Sequence, residues 1–252
     1  SFAFDGNAAK GGQVIAGQNF DFMADWQDIL VLLKIKPDRG PGILALAPAG
    51  GLGLVGLNSA GITLNLNLLR NQSSLNPQGG VPTHIILRKV LTSQNLSEAI
   101  RKIATAEKRS AKNYLLTSAQ GDIINLETTA DDLDVSYAEK GILTHANYFK
   151  SERFRSTDLA GKFWPDAYIR SQRLLQLMSV LHGRLSVEVM QELLQDHNNY
   201  PNSICRHPDP ENPIAAARMI KTLVSLISCP QERRIYLAQG NPCEYEYEEY
   251  TL

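Results

Sequence analysis

The 252-residue chain is 43% hydrophobic and 20% charged, which excludes a disordered chain or a low-complexity fibre. Its 25 basic and 26 acidic residues leave a net charge of -1, without the basic excess of a nucleic-acid-binding protein. The longest apolar runs, Ile29–Leu33 and Ile43–Ala47, fall far short of the about 20 residues that span a bilayer, so no membrane segment is expected.

In chain order, residues 1–8 and 13–20 read as strands, separated by the turn signal Lys10-Gly11-Gly12. Further strands follow at 29–36, 43–48, 52–57 and 62–68, punctuated by Gly- and Pro-rich stretches. Residues 83–92 and 96–107 read as helices. Pro82 stands at the start of the first, and Ser97-Glu98 with Ala99, Ile100, Ile103 and Ala104 mark the second. Strands resume at 113–119, 122–128, 132–137 and 141–144. Helices at 166–182 and 186–195 follow, with Ser186 as N-cap, and strands at 222–228, 233–238 and 243–249 close the chain. Strands and helices come in runs, which argues against a parallel βαβ sheet and for two antiparallel sheets with a helical layer outside each. No linker composition or internal repeat divides the chain, so residues 1–252 read as one domain.

Folding the first two strands back about Gly11 makes opposed residue numbers sum to about 22, which brings Ser1 near Asp21. A terminal serine carries a base on the same residue, because an α-amine titrates at about 7.7–8.0 and can accept the hydroxyl proton. The plain alternative is an ordinary strand end with a solvated Asp. A trimmed start is the plain reading of the missing Met, and a removed upstream signal segment stays open.

Neither zinc-ligand spacing, nor a phosphate-binding loop, nor a nucleophile elbow occurs. Gly50-Gly51-Leu52-Gly53 lacks a following helix, and the five histidines are scattered, so neither a cofactor nor a metal is expected. Three cysteines (Cys205, Cys229, Cys243) are too few and odd in number for a disulfide scaffold, which points to a reducing, cytoplasmic compartment. Polar residues interrupt apolar stretches at Gln18-Asn19-Phe20-Asp21, at Asn58, Asn65 and Asn67, at His145–Phe149 and through 196–207. Asn147 offers an amide donor of the kind an oxyanion needs, and Arg206 a partner for a carboxylate. Turn and capping roles are the plain alternative for each.

These residues carry a resemblance. Ser-Phe-Ala-Phe at 1–4, Gly-Gln-Asn-Phe-Asp at 17–21, Leu-Asn-Ser-Ala-Gly at 57–61 and Pro-Thr-His-Ile-Ile-Leu-Arg at 82–88 are joined by Thr-His-Ala-Asn-Tyr-Phe at 144–149. Asp-His-Asn-Asn-Tyr-Pro-Asn-Ser-Ile-Cys-Arg-His at 196–207, the most specific piece, and Gly-Asn-Pro-Cys-Glu at 240–244 complete the set. Together they resemble the acyl-coenzyme A:6-aminopenicillanic acid (isopenicillin N) acyltransferase family of the N-terminal-nucleophile hydrolases. The resemblance implies an α+β fold, a four-layer αββα sandwich. It also implies a precursor that cleaves itself to free the nucleophile, with the N-terminal propeptide chain staying bound as a heterodimer.

By resemblance, Ser1 is the nucleophile, Asp21 the carboxylate beside it, Asn147 the oxyanion donor and Arg206 the arginine of the site. Asn65, Asn67 and Tyr148 are expected to bind a small-molecule amide or acyl substrate. Family nucleophiles are usually cysteine, which leaves three readings of Ser1: a substitution, a natural serine, or the third residue of the common start Cys-Thr-Ser-Phe-Ala. The functional expectation is amide hydrolysis through an acyl-enzyme. Acyl-coenzyme A-dependent transfer to a β-lactam or other amine is the alternative, and a non-catalytic binding relative is the alternative of a different class.

Overall fold

A computed structural model describes residues 1–75, 79–214 and 218–252. Thirteen named strands form two antiparallel sheets. The first has the order β10 (Ile142–Thr144), β1 (Phe2–Phe4), β2 (Ile15–Met23), β11 (Ile220–Cys229), β12 (Arg234–Ala238) and β13 (Glu248–Thr251). The second is a meander in chain order: β3 (Leu30–Ile35), β4 (Ile43–Pro48), β5 (Val55–Asn58), β6 (Ile62–Leu68), β7 (Lys112–Ser118), β8 (Ile123–Thr128) and β9 (Leu133–Tyr137).

Side chains alternate across a strand, and that alternation builds the layers. In β4, Ile43 and Ala45 face outward to the helices α2 (Thr83–Leu91) and α3 (Leu96–Ala104), while Leu44 and Leu46 face inward. The inward set meets Leu223, Leu226, Ile235 and Leu237 of the first sheet. Outside the first sheet, Phe2, Phe4, Ile15 and Ile227 pack on Leu174 and Met178 of α6 (Asp166–Val180) and Met190 of α7 (Val187–Leu193). Each such fully buried side chain contributes about 1.5–3 kcal/mol relative to exposure. The result is the αββα sandwich expected from the resemblance. Among the described residues, no helix is long and apolar enough to cross a membrane.

Local chemistry sets the helix ends. Asn95 caps α3 by accepting from the Glu98 backbone N–H at 2.9 Å, and the Glu98 carboxylate accepts in return from the Gln94 N–H at 2.8 Å. The helix stops at Ala104, three residues before the expected end. Ser186 caps α7 through the Val189 N–H, as expected.

Two expectations are corrected. The last strand is Glu248–Thr251 rather than 243–249. The Asn241 carbonyl accepts from the Glu244 and Tyr245 N–H groups and turns the chain there, so pairing with β12 begins only afterwards. The first hairpin is also wider than a turn at Gly11. Its pairs are Phe2↔Gly17, Ala3↔Ala16 and Phe4↔Ile15, so partners sum to 19 and Ser1 stands opposite Gln18, not Asp21. Asp5 ends β1 by accepting from Asn7 and Ala8, and the chain then detours so that Lys10 donates to the Leu185 carbonyl beyond α6. A tertiary partner consumes the residues that a tight turn would have paired.

Asn58 is a strut of this architecture. Its buried amide donates to the Leu91 and Ser93 carbonyls at 2.9 and 2.8 Å and accepts from the Ile62 N–H at 3.1 Å, tying β5 and β6 to the α2–α3 connection. Removing it strands three buried polar groups. Asn58→Ala is expected to lower the unfolding free energy by about 2–4 kcal/mol in urea titrations.

Candidate active site

The ladder between β1 and β10 continues one residue past β1. The Ser1 nitrogen donates to the His145 carbonyl and the His145 N–H donates to the Ser1 carbonyl, both at 2.8 Å. Ser1 therefore shares the inward face of Ala3, and its hydroxyl donates to Asn67 Oδ1 on β6 at 2.6 Å. Gln18 crosses between the sheets at the same level, its Oε1 accepting from the Leu66 N–H at 2.8 Å. Gly17 is demanded by close packing, because a Cβ there would lie 2.2 Å from the Leu226 carbonyl oxygen and 2.9 Å from the Phe2 ring.

Ser1 opens on a cavity of about 420 Å³. Asp21, Asn67, Asn147 and Arg170 are among its polar groups, with Lys112 and His84 also on the lining, and Phe22, Trp26, Leu54 and Leu66 form much of its apolar wall. On the other side of Ser1 a void of about 30 Å³ touches Asp21, Arg170 and Leu174, with room for about one water.

Arg170, on α6, organises the polar end. Its Nε donates to Asp166 Oδ2 at 2.7 Å, one terminal nitrogen donates to Asn147 Oδ1 at 3.0 Å, and the other lies 3.8 Å from Asp21 Oδ2. Asp21 Oδ1 accepts from the Thr222 hydroxyl at 2.7 Å. Burial pushes the Asp21 carboxyl above its usual range, against the pull of Arg170 and Arg206. Asp166 behaves oppositely: burial works to raise it, but Arg170 and Arg206 together hold it below the carboxylate norm. The Ser1 amine falls to about 5, first because it is desolvated and then because of the Arg170 charge, with Asp21 opposing.

Asn147 lines the cavity and donates from its amide nitrogen, which carries two hydrogens, to the Leu68 carbonyl at 3.1 Å. The loop carrying it is stapled by Glu127 of β8. This carboxylate accepts from the Lys150 and Ser151 N–H groups and meets His145 Nε2 at 2.6 Å. His145 Nδ1 faces the Ala146 carbonyl at 2.7 Å. Both ring nitrogens thus face oxygen, and burial lowers the His145 imidazole below its usual range against the pull of Glu127.

Of the residues expected to form the site, Ser1, Asp21, Asn147 and Asn67 come together around the cavity. Arg206 stands one layer behind, its guanidinium 3.1 Å from Asp166 Oδ2 and 2.5 Å from Asn202 Oδ1, while its backbone N–H donates to the Thr222 hydroxyl that bonds Asp21. Asn65 is buried between the sheets with neither amide atom paired. Tyr148 lies away from Ser1 in a surface groove with Tyr168 and Arg173, 4.7 Å from the Tyr168 ring. Sequence reasoning missed Arg170, Asp166 and Glu127. Asp166 and Arg170 are spaced i, i+4 on one predicted helix, a readable ion-pair signal, but nothing in that spacing says which arginine faces Asp21.

Comparisons with known proteins place this geometry. The chain is 32% identical over 193 residues to the acyl-coenzyme A:6-aminopenicillanic-acid-acyltransferase 40 kDa form of Emericella nidulans. That match takes in 76% of this chain and 53% of that protein, so the chain spans about half the length of the curated relative. An N-acylethanolamine-hydrolyzing acid amidase ortholog from Caenorhabditis elegans superposes with a TM-score of 0.64 at 14% identity, covering 100% of this chain and 99% of that one. Penicillin V acylase from Agrobacterium tumefaciens gives 0.66 at 12% identity, covering 95% and 83%. Conjugated bile acid hydrolase from Clostridium perfringens gives 0.60 at 12%, covering 100% and 97%. At such identities the likeness is one of fold. The family model for acyl-coenzyme A:6-aminopenicillanic acid acyl-transferase, however, matches residues 8–244, nearly the whole chain, and the chain belongs to that family.

Proposed function

We propose that this protein cleaves small-molecule amides through an acyl-enzyme formed on Ser1, after its release from a precursor by self-cleavage, with the propeptide chain retained as a partner. One observation carries the reading: a hydroxyl, an amine of lowered basicity, an amide donor and an Asp–Arg pair converge on one cavity with an apolar wall. The Ser1 oxygen attacks the carbonyl carbon, and its proton passes to the α-amine. Asn147 faces the oxyanion as it forms. The C–N bond then breaks, and the leaving amine takes the proton from the α-ammonium. Water repeats the attack to free the acid.

The base must be neutral to accept the proton. A base at about 5 is active above that pH and lost below it, so kcat/KM should rise with pH to a shoulder near about 5 and stay level through neutrality. A pH–rate profile checks this, and a shoulder near 8 would count against the buried amine.

Two observations favour further readings. The relative from Emericella nidulans is named as an acyltransferase, which supports transfer of the same acyl-enzyme to an amine acceptor. A chromogenic amide assayed with and without added amines separates the two by product. No covalent adduct with any acyl probe would instead support a binding relative. The second observation is the register. Extending the β1–β2 pairing past Ser1 sets the residue two upstream opposite Phe20, beside Asp21 and on the face of Ser1. The Ser1 nitrogen also occupies the position of an ordinary ladder donor. This favours a nucleophile two residues before Ser1. Intact mass and N-terminal sequencing of the protein made from its full-length gene decide it, because the larger fragment begins at the nucleophile.

A further inference from the structure

Four side chains with metal-ligand chemistry meet outside the cavity of Ser1. His197, Cys205 and His207 come from the segment after α7, and Cys243 from the turn before β13. Their ligand atoms all lie within 4.8 Å of one another. His197 Nε2 and His207 Nε2 are 3.0 Å apart, Cys205 Sγ and Cys243 Sγ 3.5 Å, and His207 Nε2 stands 3.7 and 3.5 Å from the two sulfurs. We propose that His197, Cys205, His207 and Cys243 form a structural, tetrahedral zinc site.

The distances carry the assignment. Zinc holds sulfur at about 2.3 Å and imidazole nitrogen at about 2.0–2.1 Å. A tetrahedron with those radii has edges of about 3.8 Å between sulfurs, about 3.6 Å between sulfur and nitrogen and about 3.3 Å between nitrogens. Four of the six edges lie within about 0.3 Å of these values, and the two between His197 and the sulfurs are no longer than 4.8 Å, a gap that a small rotation of the exposed His197 ring closes. Two imidazole Nε2 atoms turned toward each other and toward two sulfurs satisfy one another poorly by hydrogen bonding, whereas one cation satisfies all four. Binding releases a proton from each thiol, and the two thiolates neutralise the divalent charge. The surroundings match this chemistry. Asn241 Nδ2 donates toward Cys205 Sγ at 3.4 Å, as thiolate ligands require, and Glu244 Oε1 lies 3.9 Å from the outer nitrogen of His207.

Four protein ligands leave no open position, so the site is structural and does not activate water. It would lock the 196–207 segment to the 240–244 turn. Cys205 and His207 flank Arg206, so the same clamp fixes the guanidinium that holds Asp166 behind the candidate active site. The ligands are separated by seven, one and thirty-five residues, a spacing that resembles no zinc motif, so the sequence alone signals no metal here. Only folding brings Cys243 to the other three.

The test is the metal content of protein purified without a polyhistidine tag. Plasma mass spectrometry should find about one zinc per chain. Cys243→Ser, at an exposed position whose change leaves the core intact, and His197→Ala, also exposed, should each lose most of it while circular dichroism is unchanged. Chelation should lower the melting temperature of the wild type and not that of Cys243→Ser. Cobalt added to the chelated wild type should give the intense visible bands of a thiolate-bound tetrahedral ion. Wild type that carries and takes up no metal would overturn the proposal, as would equal zinc in the wild type and both variants. A mass lighter by two hydrogens with both thiols blocked would also overturn it, by showing a Cys205–Cys243 disulfide.

Discussion

Ser1→Ala is expected to lower kcat by about 10⁴–10⁶ while leaving the melting temperature and substrate binding nearly unchanged. The side chain is small and half-buried and makes one hydrogen bond, to Asn67. Its loss therefore costs little stability. What is lost is the atom that forms the acyl-enzyme. Turnover has to be measured on a chain whose terminus is freed by an external protease, so that a failure of self-cleavage is not mistaken for a failure of catalysis. Ser1→Cys should retain activity, since a thiol is the stronger nucleophile near neutral pH. If Ser1→Ala keeps wild-type turnover and the processed chain begins two residues earlier, the nucleophile is that upstream residue. The shoulder near about 5 in the pH profile would then no longer belong to the Ser1 nitrogen, which would be part of a peptide bond.

The second large effect is expected at Arg170. One guanidinium serves three partners: Asp166, Asn147 and Asp21. Arg170→Met removes the nearest cation from two buried carboxylates and releases the amide that faces the cavity. Breaking a buried pair by deleting one partner costs about 3–5 kcal/mol. Arg206 still holds Asp166, so the lower end of that range is expected here. Activity should fall by about 10²–10³, because a loosened donor stabilises the transition state less well. The Ser1 amine, which the Arg170 charge helps hold down, should rise and shift the acid side of the pH profile upward, and Asp21, already pushed up by burial, should rise with it. A purely structural role would lower stability without moving that profile. Arg170→Lys should not rescue activity, since a single ammonium cannot reach three partners held by a planar fork.

These two residues differ in how far they can be read from the sequence. Ser1 and Asp21 stand in short motifs, and Asn147 lies in a polar run after a short strand. Their neighbours along the chain announce them. Arg170 sits on a helix whose spacing predicts an ion pair with Asp166, and the resemblance pointed instead to Arg206. The two arginines converge on the same Asp166 oxygen from different elements. Which of them reaches Asp21 depends on how α6 lies across the first sheet, and that angle is written in no local pattern. Asn58 and Asn65 drew equal notice as polar residues in apolar strands. One proves to be a fully bonded strut and the other a buried amide without partners.

The blocks of strands, the two helix pairs and so the layered αββα order are legible in the sequence. These follow from periodicity and capping, which act over a few residues. Tertiary structure alone decided the rest. It set the β1–β2 register three units from a tight-turn count, because Lys10 donates to the Leu185 carbonyl and the Ala8 carbonyl accepts from the Leu185 N–H rather than closing a turn. It placed Arg170 before Arg206 and carried Tyr148 out of the cavity. It also brought Cys243 to His197, Cys205 and His207. In each case the partners lie far apart in the chain, and only packing of the sheets and helices fixes the distances between them.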